Sequence, residues 1–533
     1  MSGPVGQPID HVVDGENNAI EFDIAYALKG DIRDAITELR RLHGEDILLL
    51  PMSAASSGGG VFQNRSLASG TIVGLRLDAP AEPRVRQQPG ISLADVGQDE
   101  IVIDNESQQV CVGCAVTLDQ LNRALADEIG HAYKVPGADL TSYQYAATGA
   151  TFMTGGMGPQ RRYFSDSVSA AWIFDGSDFH EVSGPALQGF AGTYGWSGLV
   201  GALRCHYFRF PANEIAFALP VSGEAASIAA LLDHLGQYAY FDFDGGIAKT
   251  RFGGSDLILG IEHVSIESMQ PLLTAAGDHP AQARARELQL KCEQAGADGL
   301  VFINGFSERG SDEFLLDLAD DPDAEQLRIA GVDIEHAEVF GDPETMRAVR
   351  EAVPYAARTQ APDGRYLYKN HSDATIRLPA DAIAACAERL WQINQRYIDR
   401  VTDYFESEPG IDGQILVYGH LNPYGVDPHN RVTMSSDDET AFTRARCFLV
   451  EQRAVYYRQL AQLCDNSEAV FVGGEKSADS EIGIYRALGG PEHAPAALSE
   501  RFQEQCTRIA AASTLFNWRT LEPYRRPGSK LQE

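Results

Sequence analysis

A histidine pair and two tracts of very small residues are the features of this 533-residue sequence best suited to chemistry. His420 and His429 follow an apolar run, and Glu475 and Glu481 occur further along the chain. Two imidazoles need a carboxylate to complete a useful divalent-metal site. By themselves, two histidines in such a position are typical of loop residues whose hydrogen bonds are satisfied locally.

The small-residue tracts could hold a ligand against the backbone. Ser53–Gly60 (SAASSGGG) lies between two predicted strands, where backbone N–H groups can converge on a phosphate. A flexible surface loop is the alternative. The segment from Val135 to Val168 is rich in Gly, Ala, Ser and Thr over more than twenty positions. Such a stretch suits a backbone that lies against a large flat ligand.

The elements around these tracts follow from the hydrophobic periodicity. Asp31–His43 has apolar residues at helical spacing, and the ILLLP run after it predicts a strand that ends at Pro51. Hairpins are predicted with turns at Asn105–Ser107 and at Gly176, and a helix with Thr117 as its N-cap.

The region from Asn213 to about Pro354 alternates helical patterns with apolar strands, which indicates an α+β domain. An acidic run within it, LADDPDAEQL, is interpreted as a solvated loop and the start of a helix, without a metal role.

Composition excludes several classes of protein. The net charge of −32 argues against nucleic-acid binding, which depends on clustered Lys and Arg. No run approaches eighteen apolar residues and no signal pattern opens the chain, so we expect a soluble cytoplasmic protein without a transmembrane segment. The eight cysteines are scattered and expected to be reduced, and the Cys111/Cys114 pair has no second pair with which to bind zinc.

An ordered set of motifs spans residues 35–212. It comprises the small-residue loop, a V-x-V-G-x-x-x-T-L-x-x-L-N run, Pro136, A-T-G-A-T followed by T-G-G-M-G-P, and a final G-x-x-G-x-x-G before a strand. This set resembles the FAD-binding (PCMH-type) domain of the vanillyl-alcohol-oxidase-type flavoproteins. The group includes flavin-linked D-lactate, glycolate and D-2-hydroxyglutarate dehydrogenases.

The resemblance implies an α+β fold with a two-subdomain FAD-binding domain over 1–212. A substrate (cap) domain with an antiparallel sheet would cover 213–490, and 491–533 would return to the FAD domain. It implies non-covalent FAD, because the first loop contains neither His nor Cys. The implied cofactor-binding residues are Ser53, Ala54, Ala55, Ser56, Ser57, Gly58, Gly59, Pro136, Ala147, Thr148, Thr151, Thr154, Gly155, Gly158, Gly192 and Gly198.

Substrate contacts are implied within the segment from Met346 to Pro379. The family's Arg-Glu helix and Y-x-Y-K strand match Arg350–Glu351 and Tyr366 to Lys369. Arg350 and Lys369 would then bind a substrate carboxylate, for which a guanidinium fork and an ammonium are suited. The alternative is a surface Arg–Glu pair and an exposed lysine.

The family's G-H-x-G-D-G-N-x-H motif and its E-H-G-I-G motif imply a metal site. His420 matches the first histidine, and His429 matches the second with a spacing of nine instead of seven. Glu481 is the preferred carboxylate ligand and Glu475 the reserve, for Zn, Mn or Fe.

This chain departs from the family where the catalytic base should stand, because Ile482 replaces the histidine after Glu481. Isoleucine cannot accept a proton. His371 and Tyr424 are therefore predicted substitutes, and His420 completes the predicted catalytic set through the metal, which would polarise the hydroxyl.

The resemblance thus implies an enzyme that oxidises a small 2-hydroxy acid by hydride transfer to the flavin. An external acceptor, a quinone or an electron-transfer flavoprotein, would take the electrons, and a homodimer is possible. Two alternatives remain open: a flavin enzyme of this fold that acts on phenolic or other uncharged alcohols without metal, and a flavin-binding protein that has lost turnover.

Overall fold

The protein is described here from a computed structural model, which covers residues 4–471 with internal gaps. The residues outside the description are 1–3, 11, 13–21, 46, 54–70, 138–142, 155, 157–162, 177, 192–197, 251–253, 275–279, 357–364, 374–375, 378–382, 423–424, 466–469 and 472–533.

The described elements alternate strands and helices along the chain. Up to residue 212 they are β1 (Val5–Ile9), β2 (Ile24–Leu28), α1 (Ile32–His43), β3 (Leu48–Met52), β4 (Ile72–Arg76), β5 (Arg84–Gln87), β6 (Glu100–Asp104), β7 (Gln109–Gly113), α2 (Leu118–Glu128), β8 (Tyr133–Lys134), α3 (Thr148–Thr154), β9 (Val168–Phe174), β10 (Phe179–Ser183), β11 (Leu199–His206) and β12 (Phe208–Arg209). Beyond it they are β13 (Asn213–Val221), α4 (Ala225–Ala239), β14 (Phe241–Asp244), β15 (Ile247–Thr250), β16 (Leu257–Ser265), α5 (Ile266–Leu273), α6 (Pro280–Ala295), β17 (Gly299–Ser307), α7 (Ser311–Ala319), α8 (Ala324–Ile329), β18 (Glu338–Val339), α9 (Pro343–Ala356), β19 (Tyr366–Asp373), β20 (Ile376–Arg377), α10 (Ile383–Ser407), β21 (Asp412–Asn422), β22 (Gly425–Ser436), α11 (Glu439–Asp465) and β23 (Val470–Phe471).

The first sheet has the strand order β1-β2-β4-β3, in which β4 pairs in parallel with both β2 and β3. Helix α1 buries its apolar stripe, as the periodicity predicts, and the structure shows Asp31 as its N-cap. The predicted end of the following strand is wrong: β3 continues through Pro51 to Met52. A proline is tolerated there because β3 is an edge strand, where one N–H needs no partner in the sheet.

The second sheet has the order β10-β9-β11-β7-β6-β5. Both predicted hairpins are confirmed, since β6 pairs antiparallel with β7 and β9 with β10. Gly176 lies in the second turn with φ +104°, a conformation that favours glycine. Thr117 is the N-cap of α2, and Gln120 closes a capping box with it.

A large, mainly antiparallel sheet dominates the rest of the chain, with the order β18-β13-β17-β16-β21-β22-β20-β23 and with β19 also paired to β22. A smaller sheet, β14-β15-β12-β8, joins strands from both sides of residue 212. The order of strands and helices matches the alternation predicted for this region.

The large sheet is covered by helices on both faces. Ile261, Ile303 and Val417 share one hydrophobic cluster with residues of α4, α10 and α11. Val264 and Tyr418 share another with residues of α5, α6 and α9. Successive residues of a strand point to opposite faces of the sheet, so neighbouring residues of one strand pack against different sets of helices. No described helix is long and apolar enough to cross a bilayer.

Candidate active site

The strand register brings the predicted histidines into one part of the large sheet. On β21, His420 is opposite Glu262 of β16, and Tyr418 is opposite His429 of β22. Both histidines therefore lie in paired strands of a hairpin and not in a loop, contrary to the simpler alternative. The side chain of His420 is outside the described part of the structure.

The next strand in this sheet carries the predicted substrate residues. In the β19–β22 pairing, His371 is opposite Arg431 and Lys369 is opposite Thr433. The backbones of residues predicted from three separate motifs thus lie on neighbouring strands. The side chains of Lys369 and His371 lie outside the description.

Arg350 of α9 is held by a buried carboxylate. Its Nε donates a hydrogen bond to Oε2 of Glu262 at 2.5 Å, and the two side chains are 4% and 2% exposed. The surface-pair alternative is therefore wrong for Arg350. Since Glu262 is also the cross-strand neighbour of His420, this contact connects α9 to the histidine hairpin.

Glu351, the next residue on α9, is a second buried carboxyl group. Burial raises its pKa to about 7, against the lowering effect of Arg350. Its Oε1 has no hydrogen-bond partner in the described part of the chain. A carboxyl group with this pKa can exchange a proton near neutral pH.

His429 has an aromatic neighbour and a nearby cation. Its ring stacks on the Tyr418 ring with 4.8 Å between centroids and 3° between planes. The Arg431 guanidinium lies over the same tyrosine ring, 5.6 Å from its centroid, and Nη2 donates to the Tyr418 hydroxyl at 3.2 Å. This packing fixes the plane of the His429 imidazole.

Several predicted residues are held by the protein itself. The hydroxyls of Thr148, Thr151 and Thr154 donate to the backbone carbonyls of Gly113, Ala147 and Ala150. The carbonyl of Pro136 accepts from Ser167, and Ala147 forms a bridge with Thr117. These contacts fix α3 and its flanks against the second sheet.

Two glycines of the predicted cofactor-binding region have close protein neighbours. A Cβ at Gly149 would lie 2.7 Å from Cβ of Cys114, and one at Gly198 would lie 2.8 Å from Cγ2 of Ile173. Packing of α3 and β11 against neighbouring strands therefore accounts for glycine at these two positions. Cys114 is in the main core of this half and Cys111 in a separate cluster, so the C-x-x-C residues lie in different cores.

Most of the remaining predicted residues belong to segments that the structure does not describe. Ser53 lies directly after β3, at the start of the predicted pyrophosphate loop. The other predicted residues lie outside the described part of the chain: Ala54, Ala55, Ser56, Ser57, Gly58, Gly59, Gly155, Gly158, Gly192, Tyr424 and Glu481.

A cleft of about 300 Å³ lies between α2 and α9. Arg347 closes one side with its guanidinium 5.7 Å from the centre of the Tyr143 ring, and the Tyr143 hydroxyl donates to Glu344 at 3.2 Å. Arg347 also forms an ion pair with Glu214. The cleft thus has charged walls of both signs, next to the helix that carries Arg350.

Sequence analysis missed Glu262 and gave Glu351 no role of its own. A signal for Glu262 was present, because a lone carboxylate interrupts the apolar run LILGIEHV of β16. A buried charge in such a strand needs a partner. The sequence could not identify Arg350 as that partner.

Comparison with solved structures gives the same fold. Two structures described as alkyldihydroxyacetonephosphate synthase, in crystal forms P212121 and P1, match with TM-scores of 0.55 and 0.52. The sequence identities are 12% and 13%; the matches cover 92% and 83% of this chain and 76% and 72% of the respective structures. At this identity the likeness shows the fold alone, and it confirms the predicted α+β, PCMH-type fold with an antiparallel cap sheet. No protein-family model and no curated protein matches the sequence.

Proposed function

We propose that the protein is an FAD-dependent dehydrogenase that oxidises a small 2-hydroxy acid to the 2-oxo acid. One observation carries the proposal: the register that sets His420 opposite Glu262, the partner of Arg350. The backbone of His420, assigned to metal binding, is thus the cross-strand neighbour of the carboxylate that holds Arg350, assigned to carboxylate binding. Electrons would pass to an external quinone or electron-transfer flavoprotein.

Arg350 and Lys369 would hold the substrate carboxylate. Glu262 orients the guanidinium through Nε, so a substrate carboxylate would share the cation with Glu262. Because the guanidinium is planar and its orientation is fixed by Glu262, such a charge-assisted contact would favour a planar anion such as a carboxylate.

The residues suit FAD and a metal by their chemistry. Residues 1–212 would bind the cofactor, with the pyrophosphate against Ser53–Gly59 and the ring system along Ala147–Gly158. When bound, FAD supplies the acceptor for a hydride from the carbinol carbon. Two imidazoles, His420 and His429, with Glu481 would hold Zn, Mn or Fe, and the metal would supply polarisation of the substrate hydroxyl.

Proton removal would fall to His371 or Tyr424. Glu351 is a third candidate, because it is buried next to Arg350 and its pKa of about 7 suits a base near neutral pH. His371 and Glu351 can each be replaced by Gln, and Tyr424 by Phe. These substitutions leave Arg350 and Lys369, the proposed carboxylate-binding residues, unchanged.

A second candidate is an enzyme of this fold that acts on an uncharged alcohol. The observation that favours it is the Glu262–Arg350 pair itself, because Glu262 neutralises the cation assigned to the substrate carboxylate. In that case the arginine would be structural and the metal unnecessary.

The test is an absorbance spectrum of the purified protein before and after anaerobic addition of 2-hydroxy acids and, separately, uncharged alcohols, with metal analysis of the same sample. Flavin bands near roughly 375 and 450 nm that bleach with an acid support the proposal. Bleaching by alcohols alone supports the second candidate, and bands that no substrate bleaches indicate a binding protein without turnover. A colourless protein that cannot be reconstituted with FAD would refute all three.

Arg350→Lys and Lys369→Met then test the carboxylate assignment. Each should raise KM for the acid about 30-fold with FAD content unchanged, equivalent to about 2 kcal/mol of lost binding. Lys249→Met, which removes an exposed lysine paired with Asp244, is the control.

A further inference from the structure

A histidine and two aspartates from separate elements come together away from the candidate active site. His234 lies on α4, and Asp321 and Asp323 lie between α7 and α8. One ligand atom from each residue lies within 4.8 Å of the other two. Nothing in the sequence points to this group, because the acidic run looks like a solvated loop and the histidine lies far away in the chain.

His234 supplies the observation that separates this group from an ordinary acidic loop. Its side chain is 8% exposed, and its Nε2 has no hydrogen-bond partner in the described part of the structure. This nitrogen faces Oδ2 of Asp321 at 4.0 Å, too far for a hydrogen bond. A buried imidazole nitrogen aimed at a carboxylate across such a gap has the arrangement of two ligands around a missing centre.

The carboxylates have oxygens available for a further partner. Oδ1 of Asp321 accepts from the Asp323 amide at 2.9 Å, which leaves Oδ2 toward His234. Asp323 is the N-cap residue of α8, but its side chain makes no capping hydrogen bond. Among the described residues, neither aspartate has a Lys or Arg partner within 4 Å.

The surrounding core fixes the positions of the three residues. Leu231 and Leu235 of α4 pack in the same buried cluster as Leu318 of α7 and Leu327 of α8. Helix α4, which carries His234, and the two helices that flank the aspartates are therefore held by apolar packing.

We propose that His234, Asp321 and Asp323 bind a divalent transition-metal ion, with Zn²⁺ as the representative ion. Imidazole and carboxylate donors suit zinc, and water would fill the fourth position of a tetrahedral site. Tetrahedral donors at zinc bond lengths lie roughly 3.3 Å apart, so the group must contract by about 1.5 Å. The exposed Asp323 side chain can supply its part of that movement, and a shift of about 0.7 Å would bring Nε2 of His234 and Oδ2 of Asp321, which are 4.0 Å apart, to the same separation. The ion would tie α4 to the α7–α8 connection, independently of the proposed function.

This proposal is tested by isothermal titration calorimetry, in which Zn²⁺ is added to the full-length protein after its metals have been removed with a chelator. His234→Gln and Asp323→Asn should each lower the affinity for one equivalent of zinc by at least tenfold. Replacing a residue that only hydrogen-bonds to a metal ligand already costs about tenfold to 100-fold in affinity, so loss of a ligand should cost at least as much. Asp320→Asn removes the same charge from the same exposed loop but lies outside the group, and should bind zinc as the unaltered protein does. Zinc at the His420/His429 site would remain in every variant, so the difference isolates this site.

A second readout is thermal unfolding with and without Zn²⁺. The ion should raise the Tm of the unaltered protein and of Asp320→Asn more than that of Asp323→Asn, because a ligand stabilises only the state that binds it. Asp323 is exposed, so its substitution leaves the fold intact even if His234→Gln does not. Equal zinc binding by Asp323→Asn and the unaltered protein would overturn the proposal. An equal loss in Asp320→Asn would also overturn it, since it would show diffuse attraction to an acidic surface.

Discussion

Arg350 and Glu262 form an ion pair that is almost completely removed from solvent, with Nε of the arginine 2.5 Å from Oε2 of the glutamate. The two residues belong to α9 and to β16 and pack on the face of the sheet that α9 covers. A buried pair of this kind fixes geometry more than it adds net stability, because desolvation offsets much of the attraction. Its loss has different consequences depending on whether one charge or both are removed.

We therefore expect Glu262→Gln and Arg350→Met each to lower the free energy of unfolding by about 3–5 kcal/mol, since each leaves one buried charge uncompensated. The double variant should lose clearly less than the sum of the two. Urea unfolding of all four proteins closes the cycle. Additive losses would mean that the two side chains do not interact in solution.

Glu351 should make stability depend on pH. Burial raises the pKa of its carboxyl group from 4.5 to about 7, so its contribution to stability is complete below pH 4.5 and is lost as the pH rises through 7. The shift corresponds to about 3 kcal/mol. Glu351→Gln should be more stable than the unaltered protein at pH 8 by up to this amount and by less than about 1 kcal/mol at pH 5.

Urea unfolding at pH 5, 6, 7 and 8 measures this difference. Glu106→Gln, in the exposed turn between β6 and β7, is the matched control and should show no such trend. A constant difference between Glu351→Gln and the unaltered protein across the range would show that the carboxyl group ionises normally.

His263 should give the opposite dependence. Burial lowers its pKa from 6.5 to about 4, and the ring sits edge-on against Trp391, with 4.9 Å between centroids. Neither ring nitrogen has a hydrogen-bond partner in the described structure, so the protonated ring would be a buried charge without compensation. The stability contribution is complete above pH 6.5 and is lost as the pH falls toward 4.

His263→Leu should therefore remove up to about 3 kcal/mol of the acid-induced loss of stability. Guanidinium chloride unfolding between pH 7 and 4.5 measures the slope. The exposed His131→Leu serves as the control. If both variants keep the slope of the unaltered protein, other groups cause the acid sensitivity.

Local sequence patterns predicted the elements of this fold well, and pairings across the chain poorly. The helix capped by Thr117 and the hairpin at Asn105–Ser107 were predictable because turn residues and periodicity lie within a few positions of each other. Pro51 misled the prediction because whether a strand tolerates proline depends on its place in the sheet. The contact of Arg350 with Glu262 joins residues whose sequence separation carries no local signal.

The glycine-rich segment around α3 shows the same limit of local sequence patterns. Sequence analysis assigned this segment to flavin binding. In the structure, however, the Gly149 amide donates a hydrogen bond to the carbonyl of Cys114 at 3.2 Å. A Cβ added at Gly149 would lie 2.7 Å from the Cβ of Cys114. Gly149→Ala should therefore lower the free energy of unfolding by about 1–3 kcal/mol through overpacking, with or without FAD. Gly341→Ala adds the same methyl group where no atom lies within 4 Å, so it should change stability by less than about 0.5 kcal/mol. Calorimetric unfolding of both variants, together with their affinity for FAD, decides whether packing or cofactor binding requires this glycine. A loss of FAD affinity in Gly149→Ala without any loss of stability would assign the glycine to the cofactor.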